Sequence, residues 1–280
     1  MAGLCECGNE PPGSLKARGL QPCCRILLYG PPGTGKTELA NALAVELKIP
    51  FYSVTSTDLL SSWVGQSEKL VRELFDYTRK KGEPCIIFVD EVDSLCRKRT
   101  SAEREMDRRI KTELLVQMDR CDSCSFLLCA TNYPWDIDSA FMRRFQMQFY
   151  IPLPDRDERL QIMRLHTAEN SVELSDTDWQ QLLDHTEGFS GCDLRNLTRM
   201  ALMRPLHDLC TATHWLPVCT GVLIPCSDDC LGAVQTRLED IPPAMVTARS
   251  VTFADFQAAL CSVHRTVSAD EVAKFEHFIG

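Results

Sequence analysis

No stretch of this 280-residue sequence is apolar for long enough to cross a bilayer as a helix. Its start, Met1-Ala-Gly-Leu-Cys-Glu-Cys-Gly8, lacks the charged opening and long apolar stretch of a secretory signal. Basic residues are the minority sign, with 30 Lys+Arg against 39 Asp+Glu and a formal charge of -9. Bulk binding to a nucleic-acid backbone is therefore disfavoured, and no direct nucleic-acid partner is expected. There is no internal repeat and no low-complexity tract. Aromatics make up only 8%, but hydrophobics reach 44% and charged residues 25%, an ordinary globular balance. A chain of this length buries one large core or two modest ones.

Cysteine is abundant instead, at 15 residues, an odd number. Without an export signal, free thiols in a reducing compartment are expected. Cys85 and Cys129 sit in apolar runs, where cysteine acts as a small buried hydrophobe. The pairs Cys5/Cys7, Cys23/Cys24, Cys121/Cys124 and Cys226/Cys230 do not combine into the doubled C-x₂-C spacing of a zinc ribbon, and no histidine cluster completes one.

The stretch with most chemistry in it is Gly30-Pro-Pro-Gly-Thr-Gly-Lys-Thr37. It follows the apolar run Arg25–Tyr29 and leads into Glu38–Leu47, which has helical composition. Strand, GxxxxGK[ST], helix is the context of a phosphate-binding loop. Its glycines let backbone N–H groups turn inward around a polyphosphate, and the helix N-terminus adds a favourable dipole. Pro32, Gly33, Thr34, Gly35, Lys36, Thr37 and Glu38 are the expected nucleotide-binding residues. Lys36 reaches the β/γ-phosphates, and Thr37 offers a hydroxyl to Mg²⁺.

Cys85-Ile-Ile-Phe-Val-Asp-Glu91 reads as a buried strand ending in two acids at the ligand edge. In phosphate-loop enzymes the first acid, Asp90, supports Mg²⁺, and the second, Glu91, draws the proton from the attacking water. Ser125–Asn132 is another apolar strand ending in polar groups, where Asn132 could hold the water or the γ-phosphate. Arg143 and Arg144 stand just before a strand. They read either as arginines on a solvated turn or as fingers acting on a neighbouring subunit's nucleotide.

Strands are expected at 25–29, 51–55, 85–90, 125–131 and 148–151, alternating with helices at 36–48, 67–81 and 106–118. That alternation predicts a parallel five-stranded α/β sheet flanked by helices, its site built on the strand C-terminal ends. After Pro154 helices follow at 156–169, 176–186 and 191–210, with no strands expected between them. Residues 211–250 are irregular with short β-like pieces; helices near 253–262 and 269–278 follow. The expected organisation is an irregular lead-in at 1–24, a phosphate-loop subdomain at 25–153 and a helical subdomain at 154–280, with β-like pieces at about 213–248 and a C-terminal helix at about 269–278.

The ordered set Gly30–Thr37, Asp90-Glu91, Thr131-Asn132, Arg143-Arg144 and Gly188-Phe-Ser-Gly-Cys-Asp-Leu194 resembles an AAA+ ATPase. More narrowly it is similar to the meiotic clade, which includes katanin, spastin, fidgetin and the vacuolar protein-sorting ATPase that disassembles ESCRT-III. Ser61–Val71, Arg108–Met118 and Phe149–Pro154 add to the match. Within the clade, Thr211–Trp215, Ile224–Asp229 and Gly232–Gln235 resemble the small β-domain that the vacuolar-sorting ATPase inserts into its lid and that severing enzymes generally lack.

The resemblance implies ATP and Mg²⁺ as cofactors, and a homohexamer threading ESCRT-III subunits through a central pore. Trp63 and Val64 would lie on the first pore loop, and the second would fall near 98–106. Gly191 would lie near the nucleotide from the lid. The resemblance further implies a cytoplasmic enzyme recruited peripherally to endosomal membranes, and a cofactor protein that could bind the β insertion. The other readings are a microtubule-severing ATPase of the katanin or spastin kind and a non-hydrolysing nucleotide-binding subunit. The chain departs from the family at Ser62, where a lysine is usual, and at Met142, where a third basic residue is usual. Its segment before the first strand is shorter than the one that clamps adenine in the family.

Overall fold

The computed structural model describes residues 24–56, 67–98, 105–121, 125–218, 221–226, 228 and 230–279. Trp63 and Val64 lie outside these residues, as do Arg99 and Arg104. The chain divides into two compact units. The first comprises 1–31, 35–152 and 273–280; the second comprises 32–34 and 153–272.

In the first unit five strands form one sheet in the order β2-β3-β4-β1-β5. They are β1 (Arg25–Tyr29), β2 (Phe51–Thr55), β3 (Cys85–Asp90), β4 (Ser125–Thr131) and β5 (Met147–Tyr150), and every pairing is parallel. The central strands are apolar on both faces, as a sheet covered by helices on each side requires. Leu27, Ile87, Val89, Leu127 and Cys129 face one way. They pack with Val71 and Phe75 of α2 (Ser67–Lys81), Leu95 of α3 (Val92–Cys96) and Ile110 and Leu114 of α4 (Glu105–Asp119). Leu28, Ile86, Phe88, Leu128 and Ala130 face the other way, against Ala40 and Ala44 of α1 (Lys36–Leu47). The small alanines let α1 lie close on the sheet. The one-turn helix α5 (Ser139–Met142) precedes β5 and plants Phe141 in the first core.

The register decides where chemistry can occur. Tyr29 of β1 is level with Thr131 of β4 and with Tyr150 of β5, while Val89 of β3 is level with Cys129. The loops after β1, β3 and β4 therefore leave the sheet at the same edge. Residues 273–280 group with this unit. Phe275 is buried, its ring 5.0 Å from that of Trp135 and 5.9 Å from that of Tyr150, and Phe278 stands against Tyr29 at 5.4 Å.

The second unit is mainly helical: α6 (Arg156–Thr167), α7 (Asp176–His185), α8 (Gly191–Thr211) and α9 (Phe253–Leu260). Met163, Leu182, Leu194, Leu197 and Phe256 form its core. Asp155, Ser175 and Ser190 cap α6, α7 and α8 through capping boxes, each side chain accepting from a first-turn N–H. One expectation is corrected here. Residues 156–210 are not free of strands, because β6 (Val172–Glu173) pairs in parallel with β10 (Val251–Thr252). Two residues are too short to show a period, and the partner lies far along the chain.

Between α8 and β10 stand β7 (His214–Pro217), β8 (Leu223–Cys226) and β9 (Val234–Gln235), an antiparallel sheet in the order β8-β7-β9. Trp215 is its anchor: 0% exposed, with Nε1 donating to the Thr236 carbonyl at 2.9 Å. A large apolar ring with a satisfied N–H lets so small a sheet keep a fixed shape. Among the described residues, Cys24 to Cys261, no disulfide is formed. Burial pushes the thiols of Cys96 and Cys129 well up, as expected of packing groups rather than nucleophiles. No described helix is long and apolar enough to cross a membrane.

Truncating Trp215 to Ala should cost about 3–5 kcal/mol locally. Hydrogen exchange should then show the β7 and β8 amides losing protection while those of β3 keep theirs.

Candidate nucleotide site

The loop after β1 is shaped by backbone. A Cβ placed on Gly30 would overlap the Ile151 carbonyl oxygen, so only glycine lets the chain leave the sheet there. Gly35 caps α1 in the left-handed region, at φ 85°, ψ 23°, and offers no side chain to cap the helix. The first N–H groups of α1 are thus left without a cap from Gly35, as a loop that takes an anion requires.

Lys36 is buried, and its Nζ donates to the carbonyls of Gly30 (2.9 Å) and Pro31 (2.7 Å). Burial lowers its pKa to about 8, against the opposing pull of the Asp90 and Asp93 carboxylates. Thr37 and Glu38 are exposed on the first turn. Thr37 Oγ1 donates to Asp90 Oδ2 at 2.7 Å, and Asp90 Oδ1 accepts from the Glu91 N–H at 2.9 Å. A hydroxyl and a carboxylate held this way are hard oxygen donors of the kind Mg²⁺ takes.

Glu91 is exposed and holds a left-handed backbone, φ 51°, ψ 43°, at the start of α3. For a non-glycine residue this conformation costs about 1–2 kcal/mol. Its carbonyl accepts from Ser94 Oγ at 3.0 Å, which helps hold the turn. Asn132, just beyond β4, has a buried Oδ1 without a hydrogen-bond partner among the described residues. An orphaned amide oxygen at this edge is an acceptor waiting for an O–H donor, and a water beside a γ-phosphate is one. The residues present therefore fit a triphosphate with Mg²⁺.

The two arginines diverge. Arg143 is exposed, and among the described residues no hydrogen bond or ion pair engages its guanidinium. Arg144 forks onto Asp119, Nε to Oδ1 at 2.8 Å and Nη2 to Oδ2 at 2.9 Å, and its Nη1 donates to the Ala140 carbonyl at 2.9 Å. The pair raises the Arg144 pKa and lowers that of Asp119.

In the second unit, Pro32–Thr34 group with the start of α8. The Gly33 carbonyl accepts from the Cys192 N–H at 3.1 Å, and a Cβ on Gly191 would stand 3.1 Å from that same oxygen. Asp193 holds the turn before α8. Its Oδ2 accepts from the N–H and Oγ of Ser190, both at 2.9 Å, and from Thr266 Oγ1 at 3.1 Å.

Sequence reading missed three partners. Asp93, buried on α3, accepts from Thr131 Oγ1 at 2.6 Å and so joins β4 to the turn that carries Glu91. Asp119 holds Arg144, and Thr266 steadies Asp193. Only Asp93 carried a local signal, an acid three residues after Asp90 in the short run Asp90-Glu-Val-Asp93.

The geometry defines a phosphate-loop nucleotide-binding module, and comparison with known proteins names its class. Residues 26–153 match the model of the ATPase family associated with various cellular activities (AAA), and residues 223–280 match the Vps4 C-terminal oligomerisation domain. Vacuolar protein sorting-associated protein 4A of Rattus norvegicus is 42% identical over 268 residues, which cover 90% of this chain and 61% of that protein. Vacuolar protein sorting-associated protein 4 of Dictyostelium discoideum is 38% identical over 90% of this chain and 60% of its own length. The crystal structure of the FIGL-1 AAA domain superposes with a TM-score of 0.73 at 34% identity, covering 92% of this chain and 77% of that one. The chain belongs to the AAA ATPase family. Within that family its module is Vps4-like, and it spans about three fifths of the length of the curated relatives it matches.

Because a phosphate needs Lys36 charged, nucleotide affinity should fall as pH rises through about 8, up to tenfold per unit above it. Binding at pH 8.5 should take up a proton, which calorimetry in buffers of different ionisation enthalpy would detect. Apo stability should move the other way, rising between about 8 and the ordinary lysine value, because the unfolded chain binds the extra proton there.

Proposed function

We propose that this chain hydrolyses ATP and uses the energy to take protein assemblies apart, ESCRT-III polymers foremost. The observation that carries the hydrolytic reading is the joined pair Thr37–Asp90 with Glu91 next in the chain, at the same sheet edge as the orphaned Asn132 oxygen. Uncapped N–H groups and the Lys36 ammonium hold the triphosphate. Thr37 and Asp90 would hold Mg²⁺, which when bound neutralises charge on the β- and γ-phosphates. Asn132 positions the attacking water through its Oδ1. Glu91 takes that water's proton as the new P–O bond forms and ADP leaves. Arg143 and Arg144 stand on a surface turn from which positive charge can reach a neighbouring subunit's nucleotide, and Gly191 lies at the start of α8 beside Gly33.

Assembly follows from that reading. The match to the Vps4 oligomerisation domain supports association of copies, and we take a homohexameric ring as the working form. Trp63 and Val64 would grip an extended substrate in its pore. The sorting reading is preferred to microtubule severing because residues 214–235 do form a three-stranded sheet with a fixed tryptophan core. That sheet is also where a cofactor protein would bind, with recruitment to endosomal membranes through partners.

Glu91→Gln should lower kcat on the order of 10²–10⁴-fold while leaving nucleotide affinity near that of the unchanged chain. A variant that still turns over at the original rate would remove Glu91 from the chemistry, and with it this reading of the site.

A further inference from the structure

The connection from β8 to β9 has to change sides. Both strands pair with β7, in the order β8-β7-β9, and both run toward its His214 end. β8 finishes there with Cys226 opposite His214, yet β9 starts one residue further in, with Val234 opposite Trp215. The chain therefore leaves β8 at the end of the sheet, crosses β7 and turns back before it pairs again. Cys230 lies on that crossover, and its carbonyl accepts from the Ala233 N–H at 3.1 Å in the turn that enters β9.

Two sulfurs meet where the crossover leaves the strand. The Cys226 thiol donates to the Cys230 sulfur; burial first, and then that neighbouring sulfur, pushes the Cys226 thiol up. No disulfide joins the two, and both are half-buried, unlike Cys96 and Cys129, which are sealed in a core. Beside them opens a cavity of about 590 Å³, lined by Cys226, His214, Asp228, Thr211, Thr213 and Arg249 among others. That is room for a small thiol reagent. A metal is the competing occupant of such a pair, but among the described residues no group of three His, Cys, Asp or Glu is placed to hold one. Two thiols in hydrogen-bonding contact, open to small molecules, have exchange chemistry available to them. The sulfur that accepts the bond attacks, and the donor resolves.

We propose that Cys226 and Cys230 form a reversible redox pair, closed by a small disulfide of the oxidised-glutathione kind. The Cys230 thiolate attacks one sulfur of the reagent, forming a mixed disulfide and releasing one glutathione thiolate. Cys226 gives up its proton to a leaving thiolate, attacks the Cys230 sulfur and expels the second glutathione. Two electrons pass from the pair to the reagent, so one disulfide is lost and one is gained. The ring so closed clips the crossover to the end of β8 and fixes the exposed Leu231 that follows Cys230.

The test holds the full chain in glutathione buffers of stepped oxidised-to-reduced ratio, quenches with acid, and alkylates the remaining thiols after denaturation. Peptide mass mapping should show Cys226 and Cys230 escaping alkylation together, joined to each other, at ratios where Cys96 and Cys129 are still alkylated. Added reductant should restore both thiols. In Cys226→Ser, Cys230 should instead keep a glutathione, because the resolving sulfur is gone. Hydrogen exchange of the oxidised chain should slow by about tenfold at the Ala233 amide and in β9, with the β3 amides unchanged. Stable glutathione adducts on the unchanged chain, pairing of either residue with another cysteine, or full alkylation of both in oxidised glutathione alone would overturn the pair. Closure without slower exchange at Ala233 would overturn its hold on the crossover.

Discussion

Everything chemical in this chain depends on the parallel register of one strand. β1 lies between β4 and β5, with Tyr29 level with Thr131 on one side and Tyr150 on the other. Parallel pairing sends all the strands out at one edge, so the phosphate loop, the Asp90–Glu91 turn and Asn132 emerge as neighbours although about a hundred residues separate the first from the last. The two-sided apolar character of β3 and β4 is what holds that register, since a slip by one residue would exchange the faces that pack on α1 and on α2–α4.

On this edge the side chains are held by polar links that cross between elements. Thr37 reaches Asp90 from α1 to β3, and Thr131 reaches Asp93 from β4 to α3. Each is a short neutral-to-charged hydrogen bond, stronger than a neutral pair. Together they brace both sides of the strained Glu91 turn, so that its left-handed backbone is set by its neighbours rather than by its own preference. The Lys36 ammonium, short of solvent and satisfied by two loop carbonyls, completes a site that is charged yet compact. The same logic governs the arginine turn, where Asp138, Phe141 and Arg144 hold the chain around an exposed Arg143.

Much of this was legible in the residues. The sheet and its flanking helices follow from continuous apolar runs alternating with amphipathic ones, and the phosphate loop is a local pattern with a local mechanism. What was not legible depends on pairs far apart in sequence. Nothing near Asp119 announces Arg144, and nothing near Val172 announces Val251. Strands of two residues carry no period to detect. The left-handed backbone of Glu91 was equally hidden, because glutamate has no preference for it. Phe275 and Phe278 look like one apolar stripe of a closing helix, and only the fold reveals that they stack on Trp135, Tyr150 and Tyr29.

The central claim is that the nucleotide is hydrolysed at a site completed by a second copy of the chain. The most direct measurement is the ATPase rate per subunit as a function of protein concentration. That rate should be negligible on dilution and climb cooperatively to a plateau as copies assemble. A rate per subunit that stays constant over the whole range would contradict the claim.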